Sequence, residues 1–232
     1  LDGAIAMSEP VMKDFLSFQP NSPHLLSPHP IYDNFGKAVS RTEALDKLKL
    51  STDRKYLLFF GIIRDYKGLD LLLEAYKNEF FQNQNIDLLI AGEFYSNEDE
   101  YRNTIENHPL KSQIHLHAKF IADEEVKYYF CAANLVVQPY KSATQSGVTQ
   151  IAYHFERPMV VTNVGGLPEL CPNAVVGYIA EANATSVSES IIRFFENNDK
   201  IDFDTNIKQE KEKYSWKKML ESIDNLLEKI QK

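Results

Sequence analysis

Short apolar runs and amphipathic stretches alternate along most of this chain. The runs Tyr56–Ile63, Ile86–Gly92, Gln113–His117, Leu135–Gln138, Met159–Thr162 and Gly177–Ala180 have the length and composition of strands, several of them buried on both faces. Between and around them, apolar residues recur at helical spacing over Arg41–Leu50, Leu69–Phe81, Asn97–His108, Asp123–Ala133, Val148–Phe155 and Val187–Glu196. Ser96 with Asp99, Asp123, and Ser186 with Glu189 are the expected caps of three of these helices. A last helix is expected over Ser215–Ile230. Its residues Trp216, Leu220, Ile223, Leu227 and Ile230 fall on one face and should clamp it to the domain. Strand–helix pairs joined by short loops predict an α/β fold, a doubly wound, Rossmann-like parallel sheet covered on both sides.

The first 33 residues break this rhythm. A short apolar segment ends at Ile5–Ser8, and Ser8-Glu9-Pro10 opens a helix over Val11–Phe18. Pro20 to Pro30 carries four prolines, so it reads as an extended connector with room for a short strand at His24-Leu25-Leu26. The chain opens at Leu1, in what reads as the middle of a strand. Residues 1–33 are therefore expected to be the remnant of a preceding domain and its connector, and residues 34–232 a single domain.

Composition narrows the function. With 232 residues and a net charge of −8, the chain lacks the basic balance of a general nucleic-acid binder. No apolar run approaches the ~18 residues of a membrane span, and no basic stretch leads into an apolar core at the start. Cys131 and Cys171 stand in no motif and read as buried thiols in a reducing compartment. His115 and His117 share a strand face without a third ligand, which favours a structural role over a metal site. A monomer is expected, in the cytoplasm or at the inner membrane surface.

The candidate chemistry gathers at three loops. The first, Phe59 to Gly68, reads F-F-G-I-I-R-D-Y-K-G and places Arg64 and Lys67 where a strand hands over to a helix. In such sheets ligands bind at the carboxyl ends of strands, and helix N-termini favour anions. A phosphate-bearing ligand is one reading; two solvated loop cations are the other. The second loop, Lys141 to Gly147, leads into a helix and offers Ser142, Gln145, Ser146 and Gly147. The third, Gly165-Gly166-Leu167-Pro168-Glu169, brings either a close backbone approach and an acceptor for sugar or ribose hydroxyls, or only a tight turn and helix cap. The dinucleotide, P-loop and nucleophile-elbow motifs are missing.

Gly61–Ala75, His115–Val126, Val161–Leu170 and the Trp216 helix, in this order, resemble the retaining glycosyltransferases of family 4 (group 1). The resemblance covers nearly the whole chain, and it matches the C-terminal, nucleotide-sugar-binding half of the two-domain GT-B fold. It implies transfer of a sugar from a UDP- or GDP-linked donor, with retention and without a metal or other cofactor. The carbohydrate or lipid-linked acceptor would be held by an N-terminal domain. It assigns Arg64 and Lys67 to the departing diphosphate. Donor binding falls to Gly61, Arg64, Lys67, Glu93, Phe120, Ile121, Gln145, Ser146, Gly147, Val148 and Glu169. Three departures stand out. Ile62 occupies the family's usual arginine position, with Arg64 two residues on. The family's paired glutamates give way to Thr144, Gln145, Ser146, Thr149 and Gln150, with Gln145 and Gln150 as neutral substitutes. Glu156-Arg157 replace a glycine before the Pro-Met-Val strand. A non-catalytic nucleotide-sugar-binding module and a sugar-nucleotide epimerase are the rival readings.

Overall fold

The computed structural model describes residues 2–231, so Leu1, where the opening strand is expected to be under way, lies outside them. The chain enters through β1 (Ala4–Ala6), α1 (Glu9–Phe18) and β2 (His24–Leu26), whose two strands pair in parallel apart from the main sheet. After a connector comes α2 (Arg41–Leu48). Then follow β3 (Lys55–Phe60), α3 (Leu69–Ala75), α4 (Glu79–Asn83), β4 (Ile86–Ala91), α5 (Glu98–Glu106), β5 (Ile114–His117) and α6 (Asp123–Ala132). The second half runs β6 (Leu135–Gln138), α7 (Gly147–His154), β7 (Met159–Thr162), β8 (Gly177–Ala180), α8 (Ala184–Asn197), α9 (Phe203–Lys211) and α10 (Trp216–Ile230). β3 to β8 form one parallel six-stranded sheet in the order β5-β4-β3-β6-β7-β8, flanked by helices.

The central strands are apolar on both faces because both faces are covered: Leu57, Leu58, Leu88, Leu89, Ile90 and Val136 expose nothing to solvent. A charged side chain enters this core on β4. Asp87 on β4 is buried, and it is tolerated because the Arg54 guanidinium donates to one of its oxygens and His115 Nε2 bonds the other at 2.8 Å. His117 Nδ1 hydrogen-bonds the Tyr129 hydroxyl at 3.0 Å. Both histidines thus act structurally. Cys131 and Cys171 are buried free thiols, as expected.

Several local expectations are corrected. The helix expected over Leu69–Phe81 is two helices. The Asn78 side chain accepts the Phe80 N–H and restarts the helix, while the Tyr76 hydroxyl donates to the Ile86 carbonyl in the core at 2.6 Å. α5 starts from Asn97 in the left-handed region rather than from a Ser96 cap. Ala122, not Asp123, precedes α6. α8 is capped by Asn183, whose side chain accepts the Ser186 N–H, and the Ser186 hydroxyl instead accepts the Glu181 N–H. α9 was not expected at all: its apolar residues are sparse, and only tertiary contact buries Phe203 and Ile207. Glu156, at the position of the family's glycine, has a left-handed backbone (φ +55°) and pairs with Lys211 at 3.2 Å, tying α7 to α9.

The expected clamp by α10 is corrected more substantially. Met219 and Leu226 are buried, and the helix packs on the β1–β2 pair. Trp216, Leu220 and Leu227, however, are at least half exposed. Helical spacing identifies an apolar face but not what covers it. Among the described residues no helix is long and apolar enough to cross a membrane.

Candidate functional site

β3 has β4 and β5 on one side and β6 to β8 on the other, so the winding of the sheet reverses between β3 and β6. A crevice at the carboxyl ends of strands is the geometric consequence of such a reversal. The loop leaving β3 runs through Gly61 to Arg64, which precedes a 3-10 turn over Asp65–Lys67. The Arg64 guanidinium stacks on Tyr95, 4.2 Å from the ring centroid. The Lys67 side chain folds back over Gly61. Its Nζ lies 3.0 Å from where a Cβ on Gly61 would stand and 5.7 Å from the Tyr140 ring centroid.

Lys67 has no carboxylate partner among the described residues. Burial, and secondarily the nearby Arg64 charge, pull its ammonium down to about 8. Lys141 provides the contrast. It pairs with Asp65 at 2.8 Å and Asp70 at 2.9 Å, and its N–H donates to the Tyr66 carbonyl at 2.7 Å. Burial alone would lower its pKa, but the two carboxylates outweigh that and leave it raised. One cation is neutralised and ties the first loop to the second; the other is left open.

The second loop completes the cluster. Buried Ser146 bonds the Tyr140 hydroxyl at 3.1 Å, so its side chain does not cap α7, and the first-turn N–H groups of that helix are left without a side-chain partner. Val148 Cγ2 lies 3.7 Å from the Gly61 Cβ position. Gly61, Lys67, Ser146, Gly147 and Val148 are therefore brought together, with Gln145 half-buried beside them. Gln150, one turn beyond Gly147 on the same helix face, is buried, and neither atom of its amide has a partner. A buried polar atom without a partner costs about 1–3 kcal/mol.

The third loop behaves as a turn. A Cβ on Gly165 (φ +53°) would stand 1.5 Å from the Ala143 carbonyl oxygen, and the Gly166 N–H donates to the Thr144 carbonyl. The paired glycines let this loop lie against the backbone of the second loop. Glu169, expected to take sugar or ribose hydroxyls, accepts the Glu9 N–H at 3.1 and 3.2 Å and so caps α1.

On the other side of Gly61 a cavity of about 180 Å³ opens, and Glu93, Phe120 and Ile121 line it together with Phe35 and Phe60. A larger hollow, about 250 Å³, lies between α3 and α5, but Asp65, Asp70, Glu74 and Glu100 give it the wrong sign for an anion. Tyr32, Phe35 and Tyr140 escaped the sequence reading. They sit in no motif, and only the folded connector and the end of β6 bring them here.

Residues 40–228 match the family model of the glycosyl transferases group 1. The chain belongs to this glycosyltransferase family. It is 26% identical over 205 residues to an uncharacterized glycosyltransferase of Methanocaldococcus jannaschii, covering 86% of this chain and 53% of that protein. It is 24% identical over 193 residues to the phosphatidylinositol N-acetylglucosaminyltransferase GPI3 subunit of Saccharomyces cerevisiae, covering 82% of this chain and 41% of that subunit. The chain thus spans about half the length of the curated relatives it matches. Among solved structures it is similar to Anabaena HepE, crystallised with UDP, with a TM-score of 0.81 at 16% identity over 97% of this chain and 63% of that one. The fold is that of the GT-B glycosyltransferases.

Proposed function

We propose that this glycosyltransferase chain binds the donor: a nucleoside diphosphate sugar, UDP- or GDP-linked, whose sugar passes to an acceptor with retention and without a metal ion. The observation that carries the reading is Lys67, a half-buried ammonium without a carboxylate partner among the described residues, set beside Arg64 at the winding reversal and sharing the Gly61 surface with Val148 of α7, a helix that no side chain caps. As the bond from the anomeric carbon to the phosphate oxygen breaks, the electron pair leaves with the diphosphate. Arg64 and Lys67 meet the charge that builds there, and the Gly147 and Val148 N–H groups add fixed dipoles. These contacts strengthen as the charge grows, so they favour the transition state over the bound donor. Gln145 and Gln150 offer neutral amides to the sugar or ribose hydroxyls in place of the usual glutamates. HepE, with UDP bound, supports the choice of ligand class.

The exposed part of the α10 stripe, Trp216, Leu220 and Leu227, is assigned to packing against an acceptor-binding domain. The acceptor, a carbohydrate or a lipid-linked sugar, is held there. That this chain covers about half of its relatives supports the arrangement.

A thermal-shift panel of UDP, GDP, ADP and TDP tests the reading. A true ligand at about 100 times its Kd should stabilise the chain by roughly 2.7 kcal/mol. No shift with any of the four would remove the nucleotide site. The expected metal independence has its own check: transfer by the complete enzyme should survive EDTA. Activity lost in EDTA and restored by Mg²⁺ or Mn²⁺ would reassign the electrostatic work from the two cations to a metal. A second reading, binding without transfer, is favoured by the lack of the family's paired glutamates between Lys141 and Ala152. Assays of the complete enzyme with radiolabelled sugar nucleotides separate the two.

A further inference from the structure

We propose that the connector contributes a nucleotide-recognition residue: Phe35, with Phe120, forms an aromatic slot for the donor's base, and Tyr32 holds the connector in place. The inference rests on the donor-binding reading above and deepens it.

Phe35 and Phe120 line the same cavity, and buried Phe60 closes it from the sheet side. Phe120 is 70% exposed, so its ring is open to a ligand entering the cavity. Gly61 lines this cavity and also lies under Lys67 Nζ. A flat aromatic group in the slot is therefore one residue away from the cation cluster, the arrangement a nucleoside diphosphate requires. Glu93 and Asp123 stand in the same lining and offer carboxylate acceptors to base N–H groups.

The connector is not a loose tether here. The Ile31 N–H donates to the Tyr214 carbonyl at 2.9 Å, and His154 Nε2 bonds the Gly36 carbonyl at 2.7 Å. Between these pins the Tyr32 and Phe35 rings meet edge to face, with centroids 6.4 Å apart, and His29, just before the first pin, packs against Tyr32 at 4.7 Å. Tyr32 rests on the start of α7, its Cε2 3.2 Å from where a Cβ on Gly147 would stand. One aromatic row thus runs from the anion cluster to the base slot. It places Phe35 before any ligand arrives, so little ordering cost remains at binding.

The test is calorimetry on the full chain with UDP, GDP and inorganic pyrophosphate. Loss of one base-stacking ring weakens binding by roughly 5- to 150-fold. Phe35→Ala should therefore weaken UDP and GDP within that range and leave pyrophosphate unchanged. Wild-type affinity for both nucleotides in Phe35→Ala overturns the proposal, and so does an equal loss of pyrophosphate, which would mean that the ring only supports the fold. A wild-type chain that binds none of the three refutes the donor-binding reading itself. A second variant does not depend on removing the ring. Trp216 is the single tryptophan of the chain, so Phe35→Trp combined with Trp216→Phe leaves one reporter in the slot. Its fluorescence should be quenched by UDP or GDP and not by pyrophosphate. Equal response to all three overturns the base slot.

Discussion

Replacing Lys67 with Met should raise the melting temperature of the free protein and weaken nucleoside diphosphate binding by at least about tenfold, in line with roughly 1.5–3 kcal/mol for a hydrogen bond to a charged group. The two effects have one cause. Lys67 is held in a half-buried place with a neighbouring cation and no paired anion among the described residues, so its charge works against the folded state until a ligand supplies the counter-charge. The sign follows from the depressed pKa. Between about 8 and the ordinary lysine value of 10.5 the unfolded chain holds a proton on this residue that the folded chain does not, so the free protein gains stability as pH rises through that window. Nucleotide affinity should run the other way and fall as pH climbs above about 8. Lys67→Arg, which stays charged, should flatten that alkaline decline. Arg64→Ala should weaken binding to a similar degree, leaving Tyr95 without its stacked cation. Calorimetry across pH and melting curves without ligand measure all of this. A Lys67→Met protein that binds UDP and GDP like the wild type would return the residue to the status of a solvated surface charge.

The second large effect concerns the backbone that holds the cluster together. Gly68→Ala should destabilise the fold by roughly 2–5 kcal/mol, the sum of a left-handed-backbone cost and an overpacking cost. Gly68 has φ +69°, and a Cβ there would stand 1.9 Å from the Pro139 carbonyl oxygen. That neighbour is main chain at the end of β6, so no side-chain rotation can make room. Relief requires the loop carrying Arg64 and Lys67 to move away from the loop carrying Ser146 and Gly147, which also pulls the anion cluster apart. Gly36→Ala is the matched control. Its φ is +80°, but nothing lies within 4 Å of the Cβ position, so only the backbone term of about 1–2 kcal/mol should remain. Urea melts of the two variants give the comparison. Equal losses would show that the contact with Pro139 is relieved without cost.

The strands of the sheet, their parallel pairing and the position of the first two loops were legible in the sequence because each rests on a local pattern. Tyr56–Phe60, Leu88–Ala91 and Met159–Val161 are apolar on successive residues, and only burial on both faces accommodates that. Arg64 and Lys67 could be placed at a strand-to-helix junction for the same reason, since the apolar run simply stops before them. Helix limits were less legible. Asn78 and Asn183 won caps that the Leu69–Phe81 and Val187–Glu196 readings gave to no residue or to another, because side-chain capping competes over distances of only a few residues.

What only the tertiary structure decided is which groups are satisfied and which are left open. From the sequence, Lys67 and Lys141 are equivalent loop cations; in the fold, Asp65 and Asp70 neutralise one, and no carboxylate among the described residues neutralises the other. Glu169 looks like a free acceptor until α1 arrives from a position 160 residues away and takes its oxygens. Gly165 and Gly166 signal a close approach, but not that the approaching partner is the Ala143–Thr144 backbone. Tyr32 and Phe35 carry no signal at all in an irregular connector. Charge pairing, desolvation and ring contact depend on atoms brought together from distant positions, and residue order alone does not specify those distances.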